Sequence, residues 1–443
     1  MENYLNIKKL TKGAPYQFYR ELIWIYVFLL IFEGALRKWV LPGLSTPLLM
    51  VRDPIAIWLT CVGIQRGWIR SKYAIVMMFI STLSFIITMV VGHHNLFVAF
   101  FGWRIYFFHF PMIFVMGKIM TRDDLIKISR FILYISIPMT ILVFMQFHSP
   151  QTAWVNIGVG GEGTSAYYGT TEYLRPSGTF SFTSGYVMFQ AVVGCVLCYY
   201  LLMNETLPKR YQFNKVELIL FAACYIFAIP TSVSRTNFFQ TLVIILFVFV
   251  AVIRQNKLKI RFLKFFFIAV FAVLLILITG IGNMSFDALS DRFELANEAE
   301  GGVEGTINER YIGGLLGALV NFNIPILGYG IGLGTNVGAK LMGGSMYSFG
   351  FNAEIEWSRI IGECGMFIGW IIIGIRTLFS IDILMKAYRC LVRRLDLLPW
   401  ILSAGMMLTV PQGQWSIPTN LGFCILLGGL TLAAVNYKRR VKR

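Results

Sequence analysis

Long apolar runs recur along this chain, each closed by a short polar or basic stretch. At ~1.5 Å rise per residue, about 20 apolar residues of helix cross the roughly 30 Å hydrocarbon core of a bilayer. The pattern predicts twelve membrane helices near 21–36, 47–64, 73–91, 95–117, 131–147, 185–203, 216–231, 237–253, 265–281, 357–379, 397–411 and 419–436. The second is the weakest, because Arg52 and Asp53 interrupt its start. Residues 1–20 are polar and basic and lack the short apolar core and cleavage site of a secretory signal, so the first run is expected to be a retained helix.

Composition agrees. The 443 residues are 57% hydrophobic and 14% charged, with a mean hydropathy of +0.68, where soluble domains hold about 45–50% apolar and about 25% charged residues. The expected fold is an all-α integral membrane protein, one polytopic unit over 1–443. All seven cysteines fall in or beside apolar segments, so no disulfide framework is expected. The pair Cys195-x-x-Cys198 reads as small buried hydrophobes rather than a redox or metal site.

Lysine and arginine favour cytoplasmic loops. With the N-terminus cytoplasmic, alternate loops collect 29 of the 39 cations, among them Arg376, Lys386, Arg389, Arg393 and Arg394 after the tenth run. Both termini are then expected inside. The net charge of +17 becomes a topology signal, and no basic soluble domain is left to bind nucleic acid. The ten remaining cations are Arg37, Lys38, Arg52, Arg104, Arg175, Arg235, Arg292, Arg310, Lys340 and Arg359, eight of them arginine. Arginine's planar fork suits phosphate and carboxylate and stays charged beside a low-dielectric boundary. As a set placed against the positive-inside tendency, they predict an anion site facing outward. In GWRIYFFHF, Arg104 and His109 stand five apart, about 140° around an α-helix, and are not expected to pair.

Two outer segments are long. The first, 148–184, is rich in Gly, Ser, Thr and aromatics and reads as an ordered loop; Trp154, Tyr167, Tyr168 and Tyr173 are there to stack on sugars or to belt the interface. The second, 282–356, predicts an acidic helix over 286–298 and an amphipathic surface helix near 307–322, opened by the capping box Thr306-Ile-Asn-Glu309. GYGIGLGTNVG (328–338) reads either as a flexible turn or as backbone amides offered to a phosphate or sugar. In FNAEIEWSRIIGECGMFIGW, Glu354 and Glu356 fall in the first helical turn, and Glu356, Arg359 and Glu363 share a face. Glu363 would lie within the bilayer, where an ionisable group is a functional candidate. SVSRTNF (232–238) is so short that it pins Arg235 at the membrane surface, on the same face as Arg175 in LRPSGTF.

FEGALRKWVLPG from Phe32, LLMVRDP from Leu48, LRPSGTF, SRTN and E-x-E-W-x-R-I-x-x-E-x-G-x-x-G from Glu354 together resemble the O-antigen polymerase and ligase superfamily. The resemblance covers most of the chain through short motifs. It implies a GT-C-like glycosyltransferase of a bacterial inner membrane, working on the periplasmic face. The donor would be an oligosaccharide on undecaprenyl pyrophosphate, and a chain-length regulator and a flippase would be its partners. The pyrophosphate ligands would be Arg175 and Arg235, assisted by Arg310 and Arg359. Ligases of this superfamily carry a histidine in the second large loop; the four here are His93, His94, His109 and His148, which favours the polymerase.

Such chemistry needs charge stabilisation on the leaving pyrophosphate and a base for the acceptor hydroxyl. Arginines meet the first need, and no Asp-rich constellation marks the outer face, so no metal or other cofactor is expected. The base is expected to be Glu356 ahead of Glu354, with Arg104, Glu363 and Arg37 as further candidates. A ligase remains open, as does a carrier of lipid-linked anions; a carrier would favour related halves and broken helices, and no motif repeats between the halves.

Overall fold

The computed structural model describes residues 16–161, 173–263, 266–267, 270, 282–300, 314–320, 324–342 and 351–437. Among them there is no β-strand, and nine helices are long and apolar enough to cross a membrane. This is a helical membrane protein. Its helices are α1 (Gln17–Ala35), α2 (Asp53–Gln65), α3 (Lys72–Val90), α4 (Leu96–Ile119), α5 (Arg122–His148), α6 (Thr183–Met203), α7 (Lys215–Thr231), α8 (Arg235–Arg254), α9 (Asn283–Glu300), α10 (Glu356–Arg394), α11 (Leu397–Thr409) and α12 (Pro418–Asn436). The expected span 265–281 lies mostly outside the described residues. Of the expected 307–322 helix, only residues 314–320 are described, and Gly314–Leu319 is helical. The acidic helix is present as α9, with Phe293 edge-on to Phe238 and Phe239 of α8.

Starts and stops follow local chemistry. Thr121 and Asn214 close capping boxes with Asp124 and Glu217. Asn95 and Ser234 accept first-turn amides of α4 and α8. The centre is α12, whose most apolar stretch is wholly buried, whereas α3 buries a third and gives the rest to lipid. Lipid tails are as apolar as leucine, so apolar burial alone does not drive such helices together. Close approach at small residues and internal polar bonds do. Gly422 of α12 supplies one: a Cβ there would run into the Arg52 guanidinium.

That guanidinium belongs to a buried polar network. Glu33 accepts from Arg37 at 3.3 Å and from Arg52 at 3.0 Å, and Arg52 also donates to the Pro418 carbonyl. Asp53 Oδ1 takes Arg104 at 2.5 Å and His109 at 3.0 Å. Arg104 and His109 therefore do meet, Nη1 to Nε2 at 3.3 Å, against expectation. The cause is a widened π turn over Ile105–His109, which sets residues five apart over one another. Just beyond α1, Lys38 donates to Ser177 Oγ at 2.6 Å and to the Gly178 carbonyl. Burial, with neighbouring Arg37 adding to it, pushes the Lys38 ammonium down to about 7.

One end of the bundle gathers the basic loops. Arg20 donates to the Ile119 carbonyl, Arg122 pairs with Asp396, Arg130 caps Tyr211 and Gln212, and Arg261 reaches Leu202 and Glu205. Arg376, expected among this set, is elsewhere.

Candidate functional site

The tenth run is not a straight crossing. Gly365 adopts φ 76° and ψ 169°, a region open only to glycine, and breaks α10. The chain reverses there. Glu356 bonds Arg376, and a Cβ on Gly369 would press on Ile361, so Glu356–Cys364 runs as a re-entrant arm antiparallel to the helix that follows. The break frees the carbonyls of Gly362 and Glu363, which accept from Tyr329 and Gly330 amides at 2.9 Å each. Irregular backbone at membrane depth persists only where protein satisfies it.

This corrects the reading of the 328–338 loop. Its amides are spent within the protein: Ile331 on Thr88 Oγ1, Gly334 on Glu363 Oε1, Gly338 on Thr335 Oγ1. Positive φ at Gly328, Gly330 and Gly332 lets it wrap the arm, and residues 330–335 are buried. The loop is neither a flexible turn nor a row of amides held out to a ligand.

The arm's charges are tied down as well. Arg359 is fully buried; Nε and Nη2 donate to Glu356, Nη1 to Glu363 at 2.7 Å, and Nη2 also to Tyr106. Arg376 Nη1 lies 2.5 Å from Glu356 Oε1, and its other nitrogens hold the carbonyls of Val410 and Gly413, with Trp415 under the guanidinium. Two carboxylates face two guanidinia, a balanced set. Arg359 is thus not poised to hold a pyrophosphate, and Glu356, with both oxygens engaged, is not poised to take a proton. Glu363 is equally buried and committed.

Above the floor formed by Glu356 opens a cavity of about 450 Å³, within the roughly 300–1,000 Å³ of small-molecule sites. Arg175, Arg235 and Glu354 all line it. Arg175 and Arg235 are half-buried and Glu354 is exposed. The first turns of four helices meet here through Ser184 of α6, Arg235 of α8, Glu356 of α10 and Asn420 of α12. Each helix start carries partial positive charge and unsatisfied amides. The turn presenting Arg235 is held by Val233, buried and at φ 44°, an unusual conformation for a β-branched residue. The arrangement suits an anion.

The remaining candidates lie apart. Arg37 and Arg104 sit in the Glu33–Asp53 network, and Arg310 is outside the described residues. Trp154 carries its carbonyl to Trp39 and Tyr173 stacks on Phe147; neither lines the cavity. Tyr167 and Tyr168 are outside the described residues. Sequence reasoning missed Arg376, Gln412, Gln414 and Asn420. Arg376 had a signal: it interrupts the apolar stretch GWIIIGIRTLFSI. Among the described residues, no group of three His, Cys, Asp or Glu side chains is arranged to hold a metal.

The fold and this cavity define a helical membrane protein with a cation-lined site at one end of its bundle. No model of a known protein family matches the chain, and no curated protein matches it either.

Proposed function

We propose that the chain is a GT-C-like polysaccharide polymerase of a bacterial inner membrane, with about twelve spans, both termini cytoplasmic and its cavity open to the periplasm. It would transfer glycan from undecaprenyl pyrophosphate to a lipid-linked acceptor repeat unit. The observation that carries this reading is the meeting of Arg175, Arg235 and four helix starts on one cavity beside Glu354. The basic loops at the other end support this topology, and the motif resemblance supports the donor class.

In the transfer, the acceptor hydroxyl oxygen bonds to the anomeric carbon. The bond from that carbon to the pyrophosphate oxygen breaks, and undecaprenyl pyrophosphate leaves with the electron pair. Arg175 and Arg235 stabilise that growing charge in a partly water-excluded site. Glu354, exposed at the cavity, takes the hydroxyl proton, and Glu356 lies buried against Arg359 and Arg376. A ligase would use the same chemistry on another acceptor. The fold-back at Gly365 favours a carrier as the reading of another class, because transporters build their sites at broken helices.

The test uses the purified protein in lipid nanodiscs, supplied with undecaprenyl-pyrophosphate-linked repeat units from its own source. A ladder of regularly spaced glycans, absent in Arg175→Ala/Arg235→Ala, is the expected result. Tight lipid binding with no ladder would transfer the case to the ligase or the carrier.

A further inference from the structure

Besides its two arginines, the cavity is lined by five carboxamides, Gln240, Asn297, Gln412, Gln414 and Asn420, and by hydroxyls that include Ser184. The glycosyltransferase reading, on which this inference rests, gives the arginines a task and leaves the amides without one. A prenyl chain would be matched by apolar walls, and a pyrophosphate by cations. Carboxamides, offering both donor and acceptor, match the hydroxyls of a neutral sugar.

Two of them are buried more deeply than a side chain kept only for contact with water would be. Gln240, in the second turn of α8, is 3% exposed, and among the described residues its Oε1 has no hydrogen-bond partner. An unpartnered buried amide oxygen is costly, and an apolar residue of similar size would avoid that cost. A half-turn of the terminal torsion exchanges the amide's oxygen and nitrogen, so this side chain can offer either a donor or an acceptor. Asn420, 2% exposed, accepts from Ser184 Oγ at 3.1 Å, so α6 and α12 are fixed against each other at the wall. Gln412 and Gln414 stand on the Val410–Ile417 connection, whose Val410 and Gly413 carbonyls are clamped by Arg376. Gln414 Nε2 in turn donates to the Glu354 carbonyl.

We infer that this carboxamide wall is the subsite for the sugar ring carried on the pyrophosphate, with Gln240 as its deepest specificity-determining residue. Arg376 is a positioning residue that holds the Gln412–Gln414 segment at the cavity.

Binding in nanodiscs tests this with undecaprenyl pyrophosphate, bare or carrying glucose, galactose or N-acetylglucosamine. In the wild type, at least one sugar-bearing lipid is expected to bind about tenfold more tightly than the bare one, about 1.4 kcal/mol. Gln240→Leu should erase that preference and leave the bare lipid's affinity unchanged. Gln412→Ala, on a half-buried connection, should reduce it, and decides the matter should Gln240→Leu fail to fold. Equal binding of all four lipids, or an equal loss for bare and sugar-bearing lipid in the variants, would overturn the subsite and leave the cationic cavity standing. Should the bare lipid not bind, or bind as well to Arg175→Ala/Arg235→Ala, the glycosyltransferase reading falls and the subsite falls with it.

Discussion

Glu356 Oε1 and Arg376 Nη1 are 2.5 Å apart although twenty residues separate them along one nominal helix. A straight helix would hold them about 30 Å apart. Their contact is the signature of the fold-back at Gly365, and it carries a buried charge pair to the cavity floor. Removing one partner of such a pair leaves the other uncompensated, at a cost of about 3–5 kcal/mol, while apolar replacement of both is far milder. Arg376→Met is expected to lower the thermal unfolding temperature sharply in detergent, and Glu356→Gln/Arg376→Met to recover part of it. Wild-type stability in Arg376→Met alone would show that the pair does not hold the arm.

Gly365 and Gly374 offer a matched comparison within α10. A Cβ on Gly365 would run into the Ile326 carbonyl from a left-handed backbone, whereas among the described residues nothing lies within 4 Å of a Cβ on Gly374. Gly365→Ala should therefore be among the most damaging single changes in the protein, with loss of folded material by size-exclusion chromatography. Gly374→Ala should be neutral or stabilising by up to about 1 kcal/mol, as expected of alanine in a helix interior. Equal behaviour of the two would contradict the reversal.

Much of this was legible in the sequence, and the failures have physical causes. Apolar runs and capping residues mark most helices, because length and polarity are local properties. Arg175 and Arg235 were read as lip residues of one face, and they share the cavity. The re-entrant arm was not legible. Hydropathy sees one continuous apolar run at 357–379, and nothing local distinguishes left-handed Gly365 from helical Gly362 or Gly369. Arg376 was assigned to the basic end for the same reason, since a straight helix would carry it there. The Arg104–His109 pair was misread because a π turn changes the angular step that the helical wheel assumes.

Lys38 gives the protein a pH dependence of known sign. Its ammonium titrates at about 7 in the folded protein and near 10.5 when unfolded. Between those values the unfolded chain holds a proton that the folded one lacks, so stability rises with pH across this window, by at most about 1.4 kcal/mol per unit. Below about 7 both states are protonated and the burial cost is borne in full. Lys38→Met should flatten the dependence between pH 7 and 10 and be the more stable protein at pH 6. A wild-type unfolding temperature that falls from pH 7 to pH 9 would contradict the burial of the charge.

Glu354 and Glu356 are two residues apart, and the structure gives them different surroundings. Glu354 is exposed to the cavity; Glu356 is buried with both oxygens bonded to guanidinia. Glu354→Gln should lower kcat for glycan transfer by about 10²–10⁴, the range for losing a general base, with KM and unfolding temperature near wild type. Glu356→Gln should instead lower the unfolding temperature, because Arg359 and Arg376 lose a compensating charge. The decisive comparison is the pair of variants assayed under identical conditions. Full turnover in Glu354→Gln together with a stable but inactive Glu356→Gln would return the proton-accepting role to the buried carboxylate, and would require the Arg376 clamp to open during each transfer.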